Sequence, residues 1–486
     1  MNEVIRYASH VAITNYTPGD CPGLEHLLSY KEQWKTVFIG TVYDDNKKEL
    51  LIFGGIDDWI LKAKTGKDVI EDYNYDEAIK SSIRLRKTSL KSKLQSEMIR
   101  FLTAGKNYEQ NYNHSQLSCN ADTGEGKTFC AVTAITQYRT RTMIILNRVN
   151  ILNQWRDELL KFTDVDYMKV ITLDTETIVE IYNGKHTRRR WDIFLVGHRT
   201  LANAAKLIGW EGIGEVFRKL GIGLKIYDEA HREFANTALV DCYTNTKKTI
   251  YLTATPKLSG PKANYIYQTL FRGMPKFNQR ELGFNESKKH IQMIAVIYNS
   301  QPSSEAKHRC KTIRGFNSKE HSIYQINSDN KFEEILMGLI DKMAIKNGFR
   351  SLIYVSRIVA CDTIVKWIKT EYPDISVSAY HSEIPKADKE DIINNSQIIV
   401  STNQSLGLGE NIPNLQWVCN CEAFSTDTIG IQASGRLRRL EDKKCFYTEL
   451  LDFGFKSIRK QWASRRKLYS DIFNNVLQID LMNKSY

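Results

Sequence analysis

The 486-residue sequence lacks any uninterrupted apolar stretch of about 18 residues, the length that a membrane-spanning helix requires. The first ten residues include Glu3 and Arg6 and have no apolar core typical of a secretion signal. The nine cysteines are scattered, and the close pair Cys419 and Cys421 has neither zinc-knuckle nor redox spacing. These absences predict a cytoplasmic protein with reduced thiols and no membrane contact.

The net charge of +12 is unevenly distributed along the chain. Residues 1–80 hold 9 Lys/Arg and 14 Asp/Glu, whereas residues 81–486 hold 59 and 42, a net charge of +17. A positive excess attracts polyanions by counterion release, but a basic surface can also serve solubility alone. The charge therefore permits nucleic-acid binding without deciding the question.

The length predicts two or three domains. In residues 1–85, apolar stretches at 36–40 and 50–53 flank the turn-like residues 44–46. This pattern predicts a hairpin within a small α+β domain that serves as an accessory to the rest of the chain.

From residue 86 onward, short apolar runs alternate with helical patterns, which predicts α/β domains with buried parallel strands. The predicted strands are 143–146, 193–196, 224–227, 250–252, 291–297, 352–355 and 397–400. The rhythm restarts near residue 286, so we expect one domain at 86–285 and a second at 286–455. The polar stretch 299–330 is predicted to be a long loop or insertion, and 456–486 a C-terminal helical tail.

Residues 121–128, Ala-Asp-Thr-Gly-Glu-Gly-Lys-Thr, have the composition of a phosphate-binding loop between a short strand and a helix. Gly124 and Gly126 allow backbone N–H groups to surround phosphate oxygens at the positive end of the helix. Lys127 is expected to reach the outer phosphates, and the Thr128 hydroxyl to bind Mg²⁺. The sequence therefore predicts an ATP site with Mg²⁺.

Asp228 and Glu229 directly follow the predicted strand 224–227. An acidic residue at the carboxyl end of a parallel strand lies at the edge of the sheet where ligands bind. We expect Asp228 to hold Mg²⁺ and Glu229 to orient or deprotonate the attacking water. An Asp-Glu pair can also be an ordinary solvated turn, but the upstream phosphate loop favours the catalytic interpretation.

With these motifs, residues 86–455 resemble superfamily 2 helicases, and Asp228-Glu229-Ala230-His231 resembles the DEAH form of their second motif. The resemblance implies two tandem RecA-like motor domains. It also implies that Thr253 and Thr255 couple hydrolysis to nucleic-acid binding, as in the third motif. Residues 432–439 resemble the sixth motif, which implies catalytic roles for Gln432, Arg436 and Arg439, with both arginines reaching the ATP bound to the first domain.

Further segments follow the order of the family. Gln95 resembles the glutamine that reads adenine. Asn147, Arg148, Gln154 and Trp155 resemble the first nucleic-acid-contact segment, and the expected strand contacts are Arg148, Arg199, Arg357 and Thr402. Asn411 stands where the family usually has an acidic residue.

Within the superfamily, the layout is most similar to phage UvsW-type helicases, which remodel branched DNA such as replication forks and recombination intermediates. The resemblance implies a monomeric DNA helicase or translocase that is independent of base sequence. An RNA helicase or transcription-release ATPase remains an alternative because no motif separates DNA from RNA. The motor subunit of a restriction enzyme is a second alternative, although no nuclease motif is evident after residue 455.

Overall fold

The chain forms two compact units, residues 1–283 and 284–486. The computed structural model describes residues 2–32, 34–72, 74–88, 90, 92–103, 115–147, 149–186, 190–254, 256–258, 260–279, 281–283, 288–312, 315–406, 412–424, 427–440 and 443–482. Within these ranges, no helix combines the length and the apolar character needed to cross a membrane. All nine cysteines are buried free thiols.

The first unit begins with a five-stranded sheet in the order β5-β6-β2-β1-β7 and a separate hairpin, β3-β4. These strands are β1 (Val4–Arg6), β2 (His10–Ile13), β3 (Ser29–Glu32), β4 (Lys35–Phe38), β5 (Thr41–Asp44), β6 (Glu49–Phe53) and β7 (Val69–Glu71), and the helices are α1 (Pro22–Leu27) and α2 (Asp58–Thr65). A hairpin does turn near residues 44–46, but β6 pairs with β5 rather than with the predicted strand at 36–40, which pairs with β3 instead.

The small α+β region at the N-terminus packs against the parallel-sheet domain that follows it in the chain and shares its core. The Phe53 ring lies 5.1 Å from Phe234 and 5.4 Å from Tyr251. The ammonium of the fully buried Lys225 donates hydrogen bonds to the Asp241 carboxylate at 2.5 Å and to the Ser9 hydroxyl at 3.1 Å. A buried charge needs such partners to offset its desolvation. The predicted accessory region is thus an integral part of the first unit.

The rest of the first unit contains a seven-stranded parallel sheet in the order β10-β11-β9-β12-β13-β8-β14. Its strands are β8 (Gln116–Asn120), β9 (Thr142–Leu146), β10 (Val170–Thr172), β11 (Ile193–Gly197), β12 (Leu224–Asp228), β13 (Lys248–Thr253) and β14 (Lys276–Asn278). Its helices are α3 (Lys93–Leu102), α4 (Lys127–Tyr138), α5 (Val149–Phe162), α6 (Thr175–Tyr182), α7 (His198–Leu220, interrupted at Gly209), α8 (Phe234–Cys242) and α9 (Pro261–Leu270). The strands predicted for this domain are confirmed.

The second unit has another seven-stranded parallel sheet, in the order β19-β20-β18-β21-β22-β15-β23. Its strands are β15 (Ile291–Tyr298), β18 (Ser351–Val355), β19 (Val377–Tyr380), β20 (Ile398–Thr402), β21 (Trp417–Asn420), β22 (Cys445–Asp452) and β23 (Asn475–Asp480), beside a small hairpin of β16 (Lys311–Thr312) and β17 (Gly315–Phe316). Its helices are α10 (Ser304–Arg309), α11 (Ser318–Ser328), α12 (Asn330–Ile340), which continues as a π-helical turn, α13 (Ile358–Glu371), α14 (Lys386–Asn395), α15 (Asp427–Ser434) and α16 (Lys456–Ile472).

Two predictions for the second unit need correction. The polar stretch 299–330 is not a long loop, because it holds α10, the β16–β17 hairpin and α11. The C-terminal region is not purely helical, because α16 is followed by β23, which pairs in parallel with β15. The strand was missed because β23 is largely exposed at the sheet edge and has no continuous apolar run.

Candidate active site

The phosphate-binding loop connects β8 to α4. Gly124 and Gly126 have φ angles of +92° and +85°, values that residues with a Cβ rarely adopt. Lys127 is buried, and its ammonium donates to the carbonyls of Ala121 and Asp122 at 2.7 and 3.2 Å. A lysine amine and the N-terminus of a twelve-residue helix therefore share one loop, which suits phosphate oxygens.

Two side chains outside the predicted loop support it. The side-chain oxygen Oε1 of Gln279 accepts from the backbone N–H of Asp122 at 2.8 Å, which anchors the start of the loop to the residue that follows β14. Gln95 is buried in α3 and donates to the carbonyl of Glu125 at 3.4 Å. A Cβ at Gly126 would lie 2.5 Å from the Gln95 amide nitrogen. Gln95 thus touches the loop, and its reading of adenine stays a prediction.

Asp228 and Glu229 lie at the carboxyl end of β12, between β9 and β13 in the sheet. Burial, followed by the neighbouring Glu229, raises the pKa of Asp228 to about 6. Its carboxylate accepts from the indole N–H of Trp155 at 3.0 Å. Glu229 is buried in the left-handed backbone region, at φ +52°, and its Oε2 accepts no hydrogen bond from the described residues. A buried acceptor left open at this position suits an attacking water.

His231 connects the second motif to the third. Its Nδ1 lies 2.8 Å from the Thr253 hydroxyl and 3.4 Å from Glu229 Oε2. Burial lowers the pKa of His231 to about 3, so the ring is neutral at physiological pH. The carbonyl of Thr253 accepts from the backbone N–H of Ala121, which joins the third motif to the phosphate loop. The other predicted coupling residue, Thr255, lies outside the described residues.

The donors at this site fit Mg²⁺ bound together with phosphate oxygens. Mg²⁺ is usually held by one or two carboxylates together with phosphate oxygens and water, rather than by a cage of protein ligands. Asp228 and the partly buried Thr128 offer such a sparse set. In the described part of the chain, no group of three or more His, Cys, Asp or Glu side chains that could hold a metal occurs.

In the second unit, Gln432 lies on α15, and Arg436 and Arg439 follow its end. Arg439 is exposed and Arg436 is partly buried. The buried Lys288 donates to the carbonyl of Ile431 at 2.5 Å and to the Ser434 hydroxyl at 3.2 Å. A cation at the carboxyl end of a helix is favourable for its dipole, so Lys288 stabilises the segment that carries the arginines. No motif in the sequence indicated this role.

The expected strand contacts differ in their surroundings. Arg199 is exposed on the first turn of α7, whereas Arg357 precedes α13 and lies 3.4 Å from Glu320. Thr402 is buried at the end of β20, with its hydroxyl donating to Ser405 at 2.9 Å. Arg148 lies outside the described residues. The four strand contacts therefore remain predictions. The Thr402 hydroxyl is hydrogen-bonded within its own turn.

The neighbour of Arg199, His198, is buried and stacks on Tyr227 with ring centroids 5.9 Å apart. Burial lowers its pKa to about 4, against about 6.5 in an unfolded chain. Its neutral ring therefore contributes stability that is fully present above about pH 6.5 and is lost as the pH falls towards 4. At pH 5 the loss in the free energy of unfolding is about 2 kcal/mol.

We expect His198→Phe to weaken the loss of stability between pH 7 and pH 5, measured by urea unfolding at both values. The phenyl ring keeps the stacking but cannot take up a proton. His26→Phe is the matched control, because His26 is exposed in the same unit. An unchanged pH dependence in His198→Phe would show that His198 does not cause it.

The sequence is similar to helicase and restriction-enzyme families. Residues 77–258 match the family described as Type III restriction enzyme, res subunit, and residues 330–441 match the helicase conserved C-terminal domain. The chain is 24% identical over 379 residues to "Putative helicase 161L" of Invertebrate iridescent virus 6, covering 74% of this chain and 76% of the viral protein.

Solved structures give the same fold. Two structures of Dbp5 from S. cerevisiae bound to RNA and ADP BeF3, one of a point variant, each superpose with a TM-score of 0.51. They are 15% and 14% identical and cover 80% of this chain and 90% of the yeast chain. The two family matches fall on the two parallel sheets, and the first contains the phosphate loop and the acidic pair. Together, the two domain matches and the two RecA-like parallel sheets support a helicase-type ATPase of superfamily 2.

Proposed function

We propose that this protein is an ATP-driven DNA helicase or translocase that acts on branched DNA as a monomer. The observation that supports it best is that the phosphate loop, the Asp228-Glu229 pair and Thr253 stand at the carboxyl ends of three neighbouring strands, β8, β12 and β13. DNA as the substrate is supported by the match to a restriction-enzyme family. Branched DNA is supported by the resemblance to UvsW-type helicases and by the positive excess in residues 81–486.

In the proposed reaction, Lys127 and the backbone N–H groups of the loop bind the phosphates of ATP. Asp228 and the Thr128 hydroxyl hold Mg²⁺, which neutralises developing phosphate charge when bound. Glu229 accepts a hydrogen bond from the attacking water and aligns it. His231, Thr253 and Thr255 couple ATP hydrolysis at this site to binding of the nucleic-acid strand.

The second motor domain supplies the remaining catalytic groups in this proposal. Arg436 and Arg439 donate to phosphate oxygens whose negative charge increases during transfer, and Gln432 assists in their alignment. The nucleic-acid strand is contacted through its sugar–phosphate backbone, by Arg148, Arg199, Arg357 and Thr402. Movement along the strand therefore does not depend on base sequence.

The proposal is tested by ATPase assays with single strands, duplexes, forks and four-way junctions, each in DNA and RNA form. We expect forks and junctions to stimulate turnover more than linear duplex, and DNA more than RNA. Stimulation should fall steeply with added salt, because several phosphate contacts release counterions. RNA stimulation equal to or above that by DNA would favour an RNA helicase or transcription-release ATPase.

One further candidate is the motor subunit of a restriction-type complex, which the description of the family matched by residues 77–258 favours. In this case we expect movement along linear duplex DNA. Strongest stimulation by linear duplex, rising with duplex length and unaffected by branches, would support this candidate over branched-DNA remodelling.

A further inference from the structure

The segment that follows β9 contacts the second motif directly. The Asn147 amide donates to the carbonyl oxygens of Asp228 and Glu229 at 3.5 and 3.3 Å. In the second turn of α5, the indole Nε1 of Trp155 donates to Asp228 Oδ2 at 3.0 Å. The sequence resemblance assigns Asn147 and Trp155 to a strand-contact segment, but the structure aims both side chains at the acidic pair.

The Trp155 contact is well placed to orient the carboxylate. Trp155 is 1% exposed, so its ring cannot rotate freely within the surrounding core. An indole N–H can only donate, and a buried one almost always has a partner. Here that partner is one oxygen of Asp228. The bond restricts the rotation of the carboxylate.

We propose that Trp155 is a positioning residue for Mg²⁺ binding, because its indole N–H holds Asp228 in the orientation that the metal requires. This inference rests on the proposed function, in which Asp228 holds Mg²⁺ beside ATP. Hydrogen bonds to a ligating carboxylate fix its direction, and removing such a partner typically weakens metal affinity by about 10- to 100-fold.

The test is the binding of a fluorescent ADP analogue to the full chain, first in EDTA and then during a Mg²⁺ titration. In Trp155→Phe we expect the Mg²⁺ midpoint to rise by roughly 10-fold or more, with metal-free nucleotide affinity unchanged. A purely structural role for Trp155 would instead weaken nucleotide binding equally with and without metal.

Trp417→Phe is the matched control. Trp417 is also fully buried, and its indole N–H donates to the Thr448 hydroxyl at 2.9 Å in the second unit. It should keep the wild-type Mg²⁺ midpoint. If Trp155→Phe does not fold, benzothienylalanine at position 155 replaces the N–H by sulfur at nearly constant ring size, and the same shift is expected.

Asp228→Asn tests the metal role of Asp228 separately from the positioning role of Trp155. A wild-type Mg²⁺ midpoint in Asp228→Asn would overturn the proposed metal role of Asp228, and with it the inference about Trp155. A large shift in Asp228→Asn together with a wild-type midpoint in the Trp155 variants would overturn the positioning role alone.

Discussion

Glu229→Gln is expected to lower ATP turnover by roughly 100-fold or more while nucleotide binding persists. The carboxylate lies at the carboxyl end of β12, and its Oε2 is buried without a hydrogen bond from the described residues. A glutamine has nearly the same shape but is a far weaker base and presents an N–H₂ group. Lys127, Thr128 and Asp228, the groups proposed to bind ATP and Mg²⁺, remain unchanged.

Turnover at saturating ATP and DNA, with nucleotide affinity measured in parallel, checks this expectation. Glu233→Gln is the matched control, because Glu233 lies in the same segment but accepts from Asn236 at 3.2 Å. It removes one negative charge nearby and should leave turnover close to wild type. Turnover of Glu229→Gln within about threefold of wild type would remove Glu229 from the catalytic role.

The structure explains why the motor core could be predicted from sequence. Central strands such as β9, β11 and β18 contain short apolar runs buried on two faces, and such runs are recognisable without knowing their partners. The phosphate loop is also local, because its glycines, lysine and helix start are consecutive. The acidic pair could be assigned because it directly follows one of those strands.

Other features depend on contacts that sequence distance conceals. The stretch 36–40 and β5 have similar sequences, each starting with Thr, Val and an aromatic residue, and nothing local indicates which of them pairs with β6. β23 pairs with β15, about 180 residues earlier in the chain, through an edge with little apolar character. Edge strands of this kind give weak sequence signals.

Distant contacts also concealed residues that support the candidate active site. Gln279 and Lys288 each support a motif from a distant position, and neither belongs to a recognisable pattern. Trp155 was assigned by resemblance to strand contact, yet its only polar atom bonds Asp228. Three-dimensional placement therefore changes the expected role of individual side chains while leaving the motifs in position.

Arg439→Lys is the second substitution for which we expect a large effect. A guanidinium donates in a fixed planar fork that can bond two phosphate oxygens at once, whereas an ammonium acts as a point charge. If Arg439 acts as an arginine finger, the lysine variant keeps the positive charge but loses turnover by roughly 100-fold or more. Nucleotide affinity should change much less, because the phosphate loop and Asp228 belong to the other unit.

Turnover and nucleotide affinity of Arg439→Lys are compared with those of Arg438→Lys, which makes the same exchange at the adjacent exposed position. We expect turnover of Arg438→Lys to remain near wild type. DNA binding without nucleotide should survive in both variants, since a charge is retained at each site. An arginine that serves only as a solvated surface charge tolerates lysine freely, so near-normal turnover in Arg439→Lys would show that the sixth motif does not act on ATP through this residue.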